Sequence, residues 1–399
     1  MTLSGRAIER RARVYLRRNT LSLFVPVLPG FEEVGLEELR LLGYDAHAVP
    51  GGLSFPGDLD AIYDVNLSHR TGARVLLRLA NFLAQSYPML HDHTLGVPWE
   101  ALLGNCPGVN VRASFKSSRL RHDAHIEQVV HDSIVGRLKR FGLPTERSST
   151  SGMSIHARIF RDRCTLSLDT TGEHLHKRGY RTETFQAPLR ETSAAALLQL
   201  AHAEEYDVIV DPFCGSGTIP IEADLLVRNC APGFSRRFAI ESSPLHSTGR
   251  FAEAHRRAMH RCDDASLTRI LGFDINPDSV KLARRCAQRA CAESASFDTG
   301  DALNTVYADH LRVGERGLVV TNVPYGHRLG TKASTTALLN DFVERLARTA
   351  QGWDFAIITP RIKLANDALV VQQRILFQNG GIPVQALIGN VPAQPSRTA

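Results

Sequence analysis

The octapeptide Asp211-Pro212-Phe213-Cys214-Gly215-Ser216-Gly217-Thr218 decides how this sequence is read. An apolar run at 207–210 precedes it and reads as a short buried strand, and the run at 219–227 has helical spacing. A glycine-rich turn between strand and helix is where an open α/β sheet binds its ligands, beyond the carboxyl ends of the strands. Gly215 and Gly217 permit a tight turn and let a ligand press against the backbone. The helix start behind them favours a carboxylate, while Asp211 at the strand end suits an ammonium group. No Gly-Lys-Ser/Thr is present, so this is not a Walker loop, and Pro220 breaks the dinucleotide pattern G-x-G-x-x-G. The plain alternative is an ordinary glycine-rich turn.

Outward from this string the texture alternates. Helical spacing at 194–203, 279–291 and 336–350 interleaves with strand-like runs at 269–273, 318–321 and 355–359. That alternation argues a doubly wound, mostly parallel sheet. Residues 229–266 read as an irregular insert rich in Arg, Ser and Pro, with a helix through 252–261. Asp274 ends the second strand and precedes Ile275-Asn276-Pro277; an acid there accepts hydrogen bonds from two ribose hydroxyls. Asp301, followed by Ala302, can bond an adenine amino group; the plain alternative is a common turn. S-adenosylmethionine carries both a carboxylate and an ammonium group, along with a ribose and an adenine. The candidate cofactor set is thus Asp211, Pro212, Phe213, Cys214, Gly215, Gly217, Thr218, Asp274, Ile275, Asp301, Ala302 and Asn322.

The strand at 318–321 runs into Thr321-Asn322-Val323-Pro324-Tyr325-Gly326. The Asn322 side-chain oxygen and the Val323 carbonyl can hold the two hydrogens of a planar exocyclic amine and expose its delocalised lone pair. Tyr325 can stack on the base, and Pro324 stiffens the turn. Catalysis is then orientation toward a sulfonium methyl, with electrostatics that favour charge developing on nitrogen. The candidate catalytic set is Asn322, Val323, Pro324 and Tyr325, and no metal is needed.

The front half differs in charge. The chain of 399 residues has a formal net charge of +6. Residues 1–180 hold 23 Lys/Arg against 18 Asp/Glu, and 101–163 alone hold 11 against 5. Residues 1–19 read as a basic tail with Arg6, Arg10, Arg11, Arg13, Arg17 and Arg18. Arg112, Lys116, Arg119, Arg121, Arg137, Lys139 and Arg140 are candidates for sequence-independent phosphate contacts to RNA, set against the alternative of a solvated face. Strand-like runs at 74–84, 109–115, 154–160 and 163–169 flank a helix at 124–141, an α+β pattern. Seven scattered cysteines with no CxxC pair fit a reducing compartment and argue against zinc. No apolar stretch is long enough to span a membrane, and a secretory leader is not visible. A cytoplasmic monomer is expected.

Taken together, DPFCGSGT, FDIN, GDA and NVPYG resemble the class I S-adenosylmethionine-dependent amino-methyltransferases. His176-Lys177-Arg178-Gly179-Tyr180-Arg181, Pro188-Leu189-Arg190-Glu191-Thr192 and Ala231-Pro232-Gly233-Phe234 narrow the likeness to the THUMP-containing RNA guanine-N2 methyltransferases. Phe377-Gln378-Asn379-Gly380-Gly381 resembles that family's closing segment. The resemblance implies an α/β Rossmann-like class I methyltransferase domain preceded by an α+β ferredoxin-like plus THUMP RNA-binding region. The implied bounds are a tail at 1–19, a ferredoxin-like domain at 20–68, THUMP at 69–172, a linker at 173–191 and the catalytic domain at 192–392. Bacterial ribosomal members usually read Asn-Pro-Pro-Tyr; here Val323 supplies the same backbone carbonyl with less rigidity. The implied activity is N2-methylguanosine formation in 23S ribosomal RNA. The alternatives are a guanine in the transfer RNA acceptor stem, adenine-N6 in DNA, and a non-enzymatic RNA-binding factor.

Overall fold

The computed structural model describes residues 2–143, 146–147, 152–182, 189–263, 266–325, 332–362 and 368–393. The predicted contributions of Pro188 and Gly326 lie outside the described residues. The chain packs as two units. One comprises Met1–Val27, Leu36–Leu175 and Arg236–Ala258; the other comprises Leu28–Gly35, His176–Ser235 and Met259–Ala399.

Up to residue 175 the chain forms α1 (Gly5–Arg18), β1 (Leu21–Val25), α2 (Glu32–Leu41), β2 (His47–Val49), β3 (Gly52–Gly57), α3 (Leu59–Ser68), β4 (Leu76–Leu83), α4 (Tyr87–Gly96), α5 (Trp99–Leu102), β5 (Gly108–Lys116), α6 (Asp123–Arg140), β6 (Glu146–Arg147), β7 (Met153–Phe160) and β8 (Arg163–Asp169). The strands make one sheet in the order β2-β3-β1-β4-β8-β7-β5-β6. β1 pairs antiparallel with β4, so the sheet is continuous across residues 68 and 69. In β7, Met153, Ile155, Ala157 and Ile159 are buried while the residues between them are not, the period of a sheet with one covered face.

The expected basic tail is a helix instead. Ser4 caps α1 through its hydroxyl, and Ile8 and Ala12, one turn apart, are buried. Counting arginines concealed this apolar pair. Arg236–Ala258 also belongs to this first unit rather than to an insert of the second. Within it Arg250 reaches Asp58 at 2.7 Å and Asp60 at 2.6 Å. The Ser243 hydroxyl donates to the Leu102 carbonyl at 2.6 Å.

The second unit continues with α7 (Glu191–Leu200), β9 (Val208–Asp211), α8 (Thr218–Val227), then α9 (Thr248–His260), most of which belongs to the first unit, β10 (Arg269–Asp274), α10 (Pro277–Ala290), β11 (Ala295–Thr299), β12 (Gly317–Asn322), α11 (Lys332–Thr349), β13 (Asp354–Pro360), β14 (Val370–Asn379) and β15 (Ile382–Asn390). The sheet order is β11-β10-β9-β12-β13-β15-β14. β11, β10, β9, β12 and β13 are parallel; β15 and β14 close the edge as an antiparallel pair. Ile209, Val320, Ile358 and Ala386 pack with α7 and α8, whereas Val210, Val319, Ile357 and Leu387 pack with α11. Successive residues thus face opposite layers, as a sheet covered on both sides requires.

Two side-chain groups bear on this unit's integrity. Arg178 and Glu222 form an ion pair at 3.2 Å with 2% and 0% of their side chains exposed, and Tyr180 donates to Glu222 at 3.1 Å. Burial works against the Arg178 charge, yet the Glu222 carboxylate outweighs it and raises the guanidinium's pKa. Cys230 and Cys262 form a disulfide, which corrects the reading of seven isolated cysteines. Their separation of 32 residues gives no sequence signal.

Candidate cofactor and transfer site

Asp211, Asp274 and Asn322 are the last residues of β9, β10 and β12, and Asp301 follows β11 by one residue beyond Gly300. These four strands are neighbours and parallel, so four chemistry-bearing residues line one edge of the sheet. At about 4.8 Å between strands, the edge from β11 to β12 spans roughly 14 Å.

The loop after β9 is tied to its neighbour. The Cys214 N–H donates to the Phe273 carbonyl at 2.8 Å, and the Gly215 N–H donates to Asp274 Oδ2 at 2.9 Å. Gly215 has φ +53, and a Cβ there would meet nothing within 4 Å, so its outer face is open. Gly217 has φ +81, and its Cβ would lie 2.9 Å from the Phe297 ring and 3.0 Å from Ala283. Gly217 therefore serves close packing, and only Gly215 leaves room for a ligand. Thr218 opens α8, and its hydroxyl accepts from Arg181.

Asp211 is 2% exposed, accepting from the Thr321 hydroxyl at 2.6 Å and the Phe213 N–H at 3.1 Å. Burial raises its pKa to about 7; the two hydrogen bonds oppose this and the Asp274 charge adds to it. Asp274 also accepts the Asn276 N–H at 2.8 Å through Oδ1. Asp301 accepts the Leu303 N–H at 3.0 Å and the Asn304 side-chain amide at 2.8 Å, so it also shapes its own turn. Ala302 is buried, whereas Ile275 is 71% exposed, an apolar side chain beside the acid-lined edge. Cys214 is buried; burial and then the Asp211 and Asp274 charges push its thiol far above its ordinary pKa, which excludes a thiolate nucleophile.

Asn322 is 9% exposed, and its Oδ1 is buried with no hydrogen-bond partner among the described residues. Val323 is fully buried, its N–H donating to the Ile358 carbonyl at 3.1 Å. Tyr325 is also largely buried, and its hydroxyl accepts from Asn379 Nδ2 at 2.6 Å. Sequence reasoning missed Thr321, Phe297 and Asn379 as supports. Thr321 and Asn379 left a signal, since each lies in a quoted segment; Phe297 left none.

The basic candidates divide. Arg112 and Lys116 on β5, Arg119 and Arg121 beyond it, and Lys139 and Arg140 at the end of α6 are exposed. Arg119 approaches Asp162 at 3.6 Å, and Arg121 donates to the Ser118 carbonyl at 3.2 Å. Arg137 departs from the set: it donates to Glu100 at 2.7 and 3.0 Å and to the Leu95 carbonyl at 3.0 Å. Glu100 is 2% exposed; burial alone raises its pKa, but Arg137 and Arg11 hold it below its usual value. Arg137 thus neutralises a buried acid. Among the described residues no group of three or more His, Cys, Asp or Glu is placed to hold a metal ion, and no helix is long and apolar enough to cross a membrane.

A parallel sheet of this order, with a glycine-rich loop after β9 and acids at the next strand ends, is the class I methyltransferase fold. Residues 178–374 match the RMKL-like methyltransferase domain, and residues 22–76 match the RlmL ferredoxin-like domain. YpsC of Bacillus subtilis, named provisionally as an RNA methyltransferase, is 32% identical over 330 residues, 82% of this chain and 84% of that protein. The chain belongs to the RMKL-like methyltransferase family. Ribosomal RNA large subunit methyltransferase K/L of Psychromonas ingrahamii is 30% identical over 95% of this chain. The chain covers 51% of that protein, so it spans about half the length of such relatives. The crystal structure of SMU.472, provisionally a methyltransferase and complexed with SAH, superposes with TM-score 0.82 at 27% identity, covering 95% of this chain and 99% of that one.

Proposed function

We propose that this chain is an S-adenosylmethionine-dependent RNA methyltransferase forming N2-methylguanosine, with 23S ribosomal RNA as substrate. The observation that carries the reading is Asn322 Oδ1, a buried acceptor without a partner among the described residues, at the end of β12. Leaving such a group unpaired costs about 1–3 kcal/mol, a cost removed when an amine enters and donates to it. A guanine N2 presents two hydrogens, one for this oxygen and one for the Val323 carbonyl. The names of the RNA methyltransferase relatives support RNA over DNA.

The residues present fit the cofactor: Asp211 for an ammonium group, Gly215 for backbone approach, Asp274 for ribose hydroxyls, Ile275 and Asp301 for adenine. S-adenosylmethionine, when bound, supplies an electrophilic methyl on a sulfonium. The chain's own part is to orient the amine through Asn322 and to hold the loop through Asp274. Residues 20–68 and 69–172 are read as the ferredoxin-like and THUMP parts that dock RNA, in a cytoplasmic monomer.

Asp274→Ala is expected to weaken S-adenosylmethionine binding by about 10- to 100-fold, the worth of charge-assisted hydrogen bonds; unchanged affinity by calorimetry rejects the ribose assignment. The Asp211 carboxyl gives a pH test. The folded protein keeps this proton up to about pH 7, whereas the unfolded chain releases it near about 4. The free protein therefore loses stability as pH rises through that window. An ammonium ligand favours the carboxylate, so at pH 6 binding should release close to one proton, measured from enthalpies in buffers of differing ionisation heat. Asp211→Asn should release none; equal release by both forms refutes the assignment.

Nucleoside mass spectrometry of ribosomal and transfer RNA from cells lacking the protein tests the reading as a whole. Loss of N2-methylguanosine from 23S RNA is expected. Loss from transfer RNA moves the substrate to the acceptor stem, and labelled methyl transfer to DNA alone would replace guanine by adenine-N6.

A further inference from the structure

Helix α1 has a face that neither its packing nor the proposed reaction uses. Arg6, Arg10, Arg13 and Arg17 stand at i, i+4, i+7 and i+11. At 100° per residue they lie within about 60° of arc on a line about 16 Å long. All four are exposed. Ile8 and Ala12 occupy the opposite face and are buried. The apolar side of the helix is thus already covered, which removes the usual basis for lying in a membrane surface.

The helix is held firmly. Arg11 reaches the buried Glu100 at 3.2 Å and lies over the Phe141 ring at 4.9 Å. The Leu3 N–H donates to the Phe141 carbonyl at 2.9 Å. The one acid on the helix, Glu9, meets Arg13 at 3.3 Å. Arg6, Arg10 and Arg17 have no acidic partner among the described residues. A cleft of about 650 Å³ lies beside the helix; Val14, Tyr15 and Pro98 line it together with Arg11 and the buried Glu100, and of the four arginines in the row Arg10 reaches its lining. A row of exposed guanidinium groups on a firmly held helix, with an apolar wall beside Arg10, matches a single strand, whose phosphates take the charges and whose unstacked bases take the wall; a duplex offers no such bases.

We infer that α1 is a phosphate-gripping rail for a single-stranded RNA segment. The inference rests on the RNA reading proposed above and adds to it a docking element remote in sequence from the transfer site.

The test is the salt dependence of binding of a single-stranded RNA oligonucleotide by the full chain. Arg6, Arg10, Arg13 and Arg17 are replaced together by Ala, and in a second variant by Lys. At ~0.7 per phosphate on a single strand, the log–log slope should become shallower by about three units in the Ala variant and be retained in the Lys variant. S-adenosylmethionine affinity should stay unchanged in both. An unchanged slope in the Ala variant overturns the rail. If the wild type methylates RNA in the same samples, the RNA reading survives that result. If the wild type methylates no RNA, that reading falls, and the slope comparison still decides the rail. Equal loss of affinity for duplex and single strand overturns the single-strand assignment. Loss of binding to phosphatidylserine vesicles with the RNA slope intact reassigns the helix to membranes and overturns the inference.

Discussion

Replacing Asn322 by alanine is expected to lower the methyl-transfer rate by roughly 10²- to 10³-fold, the scale seen when one preorganised polar group is removed from a transition state. The Asn322 Oδ1 atom is buried and unpartnered among the described residues. Under the proposed function, an acceptor that is a cost to the free protein becomes the partner of a bound amine whose nitrogen is gaining positive charge. The loss should therefore appear in kcat, with S-adenosylmethionine affinity changed less than about threefold. Asn322→Asp is a second probe: it keeps an acceptor and the side-chain volume but cannot donate. Full activity in the alanine variant, by single-turnover transfer to RNA, would sink the assigned role.

Glu222→Ala should have the largest effect on stability. Removing one partner of a buried pair leaves the other charge uncompensated, at a cost of about 3–5 kcal/mol. The Arg178 guanidinium is 2% exposed, and the Tyr180 hydroxyl loses its acceptor in the same change. For a unit of this size the midpoint of thermal unfolding should fall by on the order of 10 °C. The double replacement Arg178→Met with Glu222→Leu should recover part of that loss, since no buried charge is left over. A single variant that melts with the wild type, by calorimetry, would refute the role given to this pair.

The catalytic half was legible in outline because its signals are local. A strand, a tight glycine turn and a helix follow one another in sequence, and the period of burial matches the residues read as strands. Asp211, Asp274 and Asn322 stood out because polar groups ending apolar runs are unusual, and each does end a strand of the parallel part of the sheet. What was illegible depends on partners distant in sequence. Arg137 reads as a surface charge until Glu100, 37 residues away, is found beneath it. Cys230 and Cys262 carry no spacing motif. Tyr325 looked free to stack, yet its hydroxyl meets Asn379, 54 residues on. Arg236–Ala258 read as an insert because its partners, Asp58, Asp60 and Leu102, precede it by well over a hundred residues. Helix α1 escaped for a different reason: six arginines in fourteen residues masked a short apolar spacing.

The return of Arg236–Ala258 to the first unit sets an order of events during synthesis. A ribosome that has released only residues 1–175 has produced every strand of the eight-stranded sheet, but not the segment that supplies Arg250 to Asp58 and Asp60. By the time that segment emerges, β9 and the Asp211–Thr218 loop are already outside. The nascent chain must hold a nearly finished first unit open while the second has begun, the stage at which exposed apolar surface invites misassembly. Any attempt to express the first unit alone meets the same fact: a cut at residue 175 leaves it without its last piece.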